Sequence, residues 1–243
     1  ELGLPVARTE IGRFGGQRVL VVERFDRRWQ GIGDQDPRSS RFAPPPTAWL
    51  ARLPQEDFCQ ATGVSHESKY ESPGGPGMDE VLSILARADE PQGDRRTFAL
   101  AQLAFWRLAA VDGHGKNFSL FHRRGGGYGL APLYDVLSAW PVIGQGANRL
   151  PMQKAKLAMS VPGARRRHYA LEDIQPRHFE QLAQSLADPE AWPAMLAMAR
   201  AVPAAIDRVE RRRPSDFAES VWERVTRGLR RQAQRVLAHA GAT

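Results

Sequence analysis

The sequence predicts an α+β fold, with a small β element first and then a mainly helical body that contains one further β-hairpin. Three observations support this prediction. β-branched residues alternate or run together on both sides of the glycine pair 15–16, a second hairpin-like pattern surrounds the glycines at 125–127, and apolar residues recur at helical spacing from position 176 onward. Strands and helices that are separated along the chain in this way are typical of α+β domains.

The first half of the chain combines short elements with loops. Segments 7–14 and 17–27 form the first predicted hairpin, and the Pro-, Gly- and Asp-rich stretch from Gly31 to Pro46 is predicted to be a loop or linker. Four further segments are predicted there: a short helix within 53–63, a loop at 68–77, a helix over 78–88, and a helix over 94–111 with Asp94 as its N-cap.

The second half begins with the second hairpin, whose strands lie on either side of the three glycines. From there the chain is expected to be helical. Three helices are predicted near 176–187, 189–210 and 215–240, with Asp173 and Ser215 as caps of the first and third.

The composition indicates a packed globular protein. The 243 residues are 42% apolar, which suffices for one large domain or two small ones. No apolar run approaches the ~20 residues that span a bilayer, and no leader opens the chain, so we expect a soluble, cytoplasmic protein without a membrane partner. Cys59 is the single cysteine, which excludes an internal disulfide framework, and we expect it to be a small buried apolar side chain.

The charge balance leaves two interpretations open. The chain has 34 Lys and Arg against 27 Asp and Glu, a formal net charge of +7. Such a field attracts polyanions, but abundant Arg, Ala and Gly can equally reflect the base composition of a genome. Glu1 begins in the middle of a pattern without an initiator Met, and we therefore expect the chain to be part of a longer protein.

The stretch "VDGHGKNFSLF", residues 111–121, concentrates polar chemistry between a predicted helix and a predicted strand. Mg²⁺ prefers carboxylate and amide oxygens, completed by phosphate and water. Asp112, Asn117 and Asp135 supply that set. Protein kinases place a catalytic Asp and a metal-binding Asn five residues apart, and a second metal-binding Asp after the following hairpin. The spacing and order of the three residues thus predict a magnesium site for phosphoryl transfer.

Other interpretations of single residues stay open. Asp112 alone is also compatible with a helix-terminal turn residue. Lys116 could neutralise phosphate charge or lie on a solvated turn, and His114 could bind phosphate or brace Asp112, whereas no second His or Cys supports it as a metal ligand. "VVERFDR" resembles a kinase hinge, in which the backbone near Glu23 meets an adenine edge and an aromatic ring covers its face, although any amphipathic edge strand can show this pattern.

Several long motifs occur in the order of one known family: "LVVERFDRRW", "RLPQEDFCQATG", "SKYESPGGPG", "DGHGKNFSLF", "LAPLYDVLSAWPV", "KLAM" and "PRHF". From about residue 2 to residue 225 the chain resembles the HipA family of serine/threonine kinase toxins, the partners of HipB antitoxins. The resemblance implies a two-lobed, phosphatidylinositol-kinase-like protein kinase fold. Residues 1–30 would be the end of the N-lobe sheet and the hinge, 31–46 a linker, and 47–243 the helical C-terminal lobe.

The resemblance also implies roles for individual residues. Asp112 would be the catalytic base, and Asn117 and Asp135 would bind Mg²⁺. The remaining positions would contact ATP: Glu23, Arg24, Phe25 and Gln55 at the adenine, and His114, Gly115, Lys116 and Tyr134 nearer the phosphates and metal. The implied reaction is ATP-dependent phosphorylation of a protein serine. The implied substrate is an aminoacyl-tRNA synthetase, foremost the glutamyl one, whose inactivation stops translation and growth and produces persistence.

Two departures limit these expectations. Kinases use a loop over the phosphates and a strand lysine, and neither lies upstream of Glu23. We therefore expect activity only together with an N-lobe segment, and the alternative is a non-catalytic kinase remnant that binds a HipB-like antitoxin. The family also meets operator DNA through the antitoxin, yet the matching helix lacks the expected basic residues. The arginine clusters 165–167 and 211–213 could touch phosphates or simply be solvated.

Overall fold

The computed structural model describes residues 1–39 and 41–242 and has the predicted α+β architecture. Its strands are β1 Thr9–Phe14, β2 Gln17–Val22, β3 Arg27–Gln30, β4 Trp49–Arg52, β5 Gln55–Asp57, β6 Ser119–His122, β7 Tyr128–Leu130, β8 Lys156–Pro162 and β9 Arg167–Ala170. Its α-helices are α1 Phe58–Ala61, α2 Met78–Leu85, α3 Pro91–Leu108, α4 Pro176–Ser185, α5 Ala191–Arg200, α6 Val202–Glu210 and α7 Glu219–Ala240.

The first hairpin is confirmed, with one correction at its end. β1 and β2 are antiparallel, and Gly15 and Gly16 have φ of 55° and 79°, a left-handed pair that suits a tight two-residue turn. The predicted strand ends too late. β2 stops at Val22, so the segment from Glu23 to Phe25 follows the strand instead of ending it.

The segment 53–63 folds differently from the prediction. Gln55–Asp57 is a strand that pairs with β6, and only Phe58–Ala61 is helical. Asp57 caps this helix, since its Oδ1 accepts from the Gln60 amide at 3.0 Å. The free edge of β6 offers hydrogen bonds that outweigh the local helical preference. The short sheets β3–β4 and β8–β9 were also missed by the prediction.

Helix α3 begins earlier than predicted and organises the core. It starts at Pro91, so Asp94 is not its N-cap; the Asp94 carboxylate instead accepts from the Leu130 amide at 3.0 Å and ties α3 to β7. Phe98 and Phe105 of α3 pack on Phe118, with ring centroids 5.1 and 5.3 Å apart. These contacts fix the end of α3 against the start of β6, on both sides of the stretch 109–118.

The C-terminal helices are confirmed, with corrections at their ends. The predicted helix 189–210 is two helices that meet at Ala201, because Pro203 has no amide hydrogen to continue the ladder of the first. The predicted caps Asp173 and Ser215 are wrong: α4 is capped at Gln175, and α7 begins only at Glu219. Among residues 1–39 and 41–242, no helix combines the length and hydropathy needed to cross a membrane.

Candidate active site

The predicted catalytic turn lies between α3 and β6 and is packed too tightly for side chains at its glycines. A Cβ at Gly113 would lie 2.2 Å from the Phe105 ring, and one at Gly115 would lie 2.4 Å from Pro76 Cγ. The Gly115 amide also donates to the Lys69 carbonyl at 3.1 Å. Both glycines are therefore required by the close approach of neighbouring chain segments.

Asp112 is exposed at the surface of this turn. Its Oδ1 accepts a hydrogen bond from the Tyr70 hydroxyl at 2.6 Å, which raises the pKa of Tyr70 to about 12. The His114 Nε2 is 3.9 Å from the same oxygen, which is too far for a hydrogen bond. Tyr70, rather than His114, thus contacts the candidate base directly.

His114 is buried beneath Tyr70. The two rings meet edge to face with centroids 5.1 Å apart, and burial lowers the pKa of His114. Its Nδ1 has no hydrogen-bond partner within the part of the chain that the structure describes. Burial thus favours the neutral imidazole, which packs against the Tyr70 ring.

Asn117 and Asp135 come together as the sequence predicts. The buried Asn117 amide nitrogen lies 3.3 Å from Asp135 Oδ2 and 3.4 Å from the Asp135 carbonyl. Asp135 has a left-handed φ of 55°, so its carboxylate turns back toward the turn. Among the described residues, there is no group of three or more His, Cys, Asp or Glu side chains that could hold a metal ion. The Asn117 and Asp135 oxygens suit Mg²⁺, with phosphate and water as its remaining ligands.

Lys116 and Tyr134 are held by neighbours on the same side of the turn. Lys116 Nζ pairs with Asp57 Oδ2 at 2.6 Å, and the Tyr134 hydroxyl donates to the Lys116 carbonyl at 2.7 Å and contacts Ser119 Oγ at 2.5 Å. Burial raises the pKa of Tyr134 to about 12. A phosphate role for Lys116 would therefore require the lysine to share its charge with Asp57.

Phe25, which lies in the segment predicted to be the hinge, packs beside the candidate site. Its ring is 5.6 Å from that of Tyr134 and 5.4 Å from that of Phe121. Gln55 lies opposite Phe121 in the β5–β6 pair, and its Oε1 is buried with no hydrogen-bond partner among the described residues. A buried acceptor without a partner is costly unless a ligand donor meets it, so this position suits a nucleotide.

Glu23 and Arg24 lie elsewhere. They line a cavity of about 630 Å³ between the β1–β2 hairpin and the β3–β4 sheet, and its walls contain none of the catalytic-turn residues. The Arg24 guanidinium donates hydrogen bonds of 2.7 and 2.6 Å to the carboxylate of the buried Asp26, which lowers the pKa of Asp26. The structure thus brings Phe25 and Gln55 toward the catalytic turn, but not the Arg24 side chain.

Three further residues of the site escaped prediction: Tyr70, Asp57 and Ser119. Tyr70 lies in "SKYESPGGPG", which the sequence indicated only as a loop and as a family motif. Cys59, by contrast, is buried as expected, and burial raises the pKa of its thiol. The contacts of the missed residues join segments far apart in sequence, which local spacing cannot reveal.

Comparisons with known proteins point to one family. The chain matches the HipA-like C-terminal domain family over residues 1–216. It is 38% identical over 140 residues to the putative kinase Y4mE of Sinorhizobium fredii, and 32% identical over 150 residues to the serine/threonine-protein kinase toxin HipA of Shewanella oneidensis. Each match covers 56% of this chain but only 29% and 31% of those proteins.

Solved structures show the same fold. The chain matches Shewanella oneidensis HipA, from its complex with HipB and operator DNA, with a TM-score of 0.76 at 24% identity over 98% of this chain and 53% of that one. The Helicobacter pylori proinflammatory kinase CtkA matches with a TM-score of 0.54 at 13% identity over 99% of this chain and 81% of that one. From the family match, which spans most of its length, the chain belongs to the HipA-like C-terminal domain family.

Proposed function

We propose that this chain supplies the catalytic-base and metal-binding part of an ATP- and Mg²⁺-dependent protein serine/threonine kinase. The observation that carries the proposal is the contact between Asn117 and Asp135, 3.3 Å apart, beside the turn that presents Asp112. The buried Asn117 amide finds its partner in a carboxylate that follows the β6–β7 hairpin, so the chain brings these two groups together from separate segments. Phosphoryl transfer needs this pair together with a separate acid.

Each residue then has a defined task. Asp112 accepts the proton of the substrate hydroxyl, and the side-chain oxygens of Asn117 and Asp135 would hold Mg²⁺. Bound Mg²⁺ would neutralise phosphate charge during transfer. Phe25 covers the adenine and Gln55 accepts a hydrogen bond from the nucleotide. The Arg24 guanidinium is occupied by Asp26, so at Glu23 and Arg24 only the backbone would be available to the adenine edge.

The phosphate-gripping part of the kinase is proposed to dock on the first hairpin. β1 and β2 pair only with each other among the described residues, and their apolar side chains Phe14 and Leu20 are 65% and 62% exposed. Exposed apolar surface of this kind marks a site that another segment covers. We assign it to an N-lobe segment that carries the phosphate loop and its lysine.

We further propose a protein serine as the acceptor, in an aminoacyl-tRNA synthetase of the glutamyl type, and a HipB-like antitoxin as the partner that links the protein to operator DNA. Support comes from the kinase toxin HipA and from the HipA–HipB–operator complex whose fold this chain matches. Direct DNA contact by the two arginine clusters has little support: four of their six members pair with carboxylates, namely Arg166, Arg167, Arg212 and Arg213.

A non-catalytic role in antitoxin binding is the second candidate. The observation that favours it is the Lys116–Asp57 ion pair, which occupies the one lysine of the catalytic turn. The two candidates differ in their need for a metal. A kinase depends on Asp135, whereas an antitoxin-binding remnant does not.

The test uses the natural polypeptide that contains this chain, labelled ATP, and purified glutamyl-tRNA synthetase. We expect Mg²⁺-dependent transfer of label to a serine, lost in Asp135→Asn and kept in Asp173→Asn, an exposed carboxylate far along the chain. The proposal is wrong if Asp135→Asn transfers label as well as the unaltered protein does. If no transfer occurs while a HipB-like antitoxin still binds, the second candidate replaces it.

A further inference from the structure

We propose that Tyr70 is a positioning residue, whose hydroxyl holds the Asp112 carboxylate in the orientation that receives the substrate proton. The inference rests on the proposed function, because it assigns Tyr70 to the same reaction. It concerns a residue that the catalytic spacing does not include, 42 positions before Asp112 in sequence.

The geometry singles out this contact. The Asp112 side chain is 55% exposed, so few neighbours restrict its rotation. The Tyr70 hydroxyl, at 2.6 Å from Oδ1, is its only side-chain hydrogen-bond donor among residues 1–39 and 41–242. A catalytic carboxylate must be held close to its productive orientation, since small displacements cost large factors in rate. Tyr70 provides that restraint and leaves Oδ2 open to an incoming hydroxyl.

Tyr70 is itself held in place from several sides. Its ring packs edge-on against the buried His114, and its carbonyl accepts from the Gly75 amide at 2.8 Å. The next residue, Glu71, accepts from Ser160 Oγ at 2.7 Å and pairs with Arg167 at 3.2 Å. The phenol is therefore presented to Asp112 by a rigid support.

The chemistry of the phenol fits this task. The hydrogen bond to Asp112 raises the pKa of Tyr70 to about 12, so the hydroxyl keeps its proton and remains a donor under working conditions. It neither competes with Asp112 as a base nor carries a charge that would repel phosphate. A tyrosine thus orients the acid without changing the net charge of the site.

The kinetic test compares Tyr70→Phe with Tyr169→Phe in the natural polypeptide. Tyr169 lines the same cavity of about 400 Å³ as Tyr70, but its hydroxyl makes no hydrogen bond among the described residues. We expect Tyr70→Phe to lower kcat roughly 10- to 100-fold with KM for ATP nearly unchanged. Tyr169→Phe should retain kcat. An unchanged or raised kcat in Tyr70→Phe overturns the inference, and a rise would identify the hydroxyl as a competitor for Asp112.

A second measurement does not depend on kinase activity. Urea unfolding of Tyr70→Phe, Asp112→Ala and the double variant reports whether the two side chains interact, since alanine leaves no acceptor for the Tyr70 hydroxyl. We expect the double variant to be more stable than the sum of the single effects predicts, because either change alone removes the same hydrogen bond. Additive effects would contradict the contact itself. Coupling without any phosphoryl transfer by the unaltered protein would instead refute the proposed function.

Discussion

At the scale of single residues, two arginines of α3 differ in whether a carboxylate neutralises their charge. Arg107 is fully buried, and desolvation lowers its pKa to about 10, while its best contact is the Met198 carbonyl at 3.5 Å. Arg96 instead pairs with the buried Asp188 at 2.8 Å. Burying a cation without a carboxylate partner lowers the free energy of unfolding, because its desolvation is not compensated. Removing a paired arginine is unfavourable, because it leaves the buried carboxylate without its counter-charge.

We therefore expect opposite effects from the same substitution. Arg107→Met keeps the volume and removes the charge, and it should raise the free energy of unfolding by about 1–3 kcal/mol. Arg96→Met should lower it by a similar amount, because Asp188 would be left buried without its partner. Urea titrations of the two variants measure these changes. A destabilised Arg107→Met would contradict the expectation and would mean that the guanidinium makes stabilising contacts in the folded protein.

At the residue level, the approach of Asn117 to Asp135 was predictable from the sequence, because the chemistry proposed for them has a fixed spacing and order. Asp112 and Asn117 are five apart on one turn, and the following hairpin brings Asp135 to Asn117. Tyr70 could not be found in this way, because its contact with Asp112 depends on how the 68–77 loop folds back over the turn. Residue spacing describes a single loop, whereas the Tyr70–Asp112 hydrogen bond links two separate loops.

At the scale of elements, α7 approaches the core through a glycine. A Cβ at Gly228 would lie 2.4 Å from Trp140 Nε1. The indole cannot move away easily, because Nε1 donates to the Arg107 carbonyl at 2.9 Å and Arg231 covers the ring at 4.9 Å. Helix propensity alone favours alanine over glycine by about 1 kcal/mol, so packing and propensity oppose each other here.

Gly228→Ala should lower the thermal stability, because overpacking costs about 1–3 kcal/mol and exceeds the gain in propensity. Gly93→Ala is the matched control. It lies in α3, where the nearest atom to a new Cβ is 3.9 Å away, and it should raise the stability by up to about 1 kcal/mol. Equal stabilisation of both variants would mean that α7 does not pack closely on Trp140.

The start of α4 contains a pH-sensitive cap. The His178 Nδ1 accepts from the Gln175 amide at 3.2 Å, and the ring stacks on His168 at 4.1 Å. Burial lowers the pKa of His178 from 6.5 to about 4. As the pH falls, the unfolded chain binds this proton first. The stabilisation is therefore complete above about pH 6.5 and is lost between pH 6.5 and pH 4.

His178→Gln should reduce this loss, since glutamine keeps the capping acceptor without titrating. The measurement is the urea midpoint of both proteins at pH 7 and at pH 4.5. We expect the difference between the two pH values to be smaller in the variant. An identical difference would mean that another group dominates the acid sensitivity.

Element boundaries were harder to predict than element types. The long periodic helices were found, and the start of α4 and the end of α7 agree with the prediction, whereas the starts of α3 and α7 and the cap of α4 do not. Asp94 illustrates this, because its carboxylate accepts a hydrogen bond from the Leu130 amide in β7 and does not cap the first turn of its own helix. Strand β5 likewise exists because β6 lies beside it.

At the scale of the whole molecule, the proposed hinge and the proposed catalytic turn approach each other through the aromatic rings of Phe25 and Tyr134. Phe25 touches Tyr134, whose neighbour Asp135 faces Asn117, so the proposed adenine and metal positions belong to one connected surface. The first hairpin precedes Phe25 in the chain and exposes Phe14 and Leu20. The family match over residues 1–216 includes the hairpin, Phe25 and the 111–121 stretch.

The most direct test of the central claim is phosphoryl transfer from ATP by the natural polypeptide with Asp112→Asn. We predict that the variant folds and binds Mg–ATP as the unaltered protein does, while transfer to protein serine falls by about 10²- to 10⁴-fold, the range expected when a general base is removed. Full transfer activity in Asp112→Asn would contradict the account, since the acid on the catalytic turn would then have no part in the reaction.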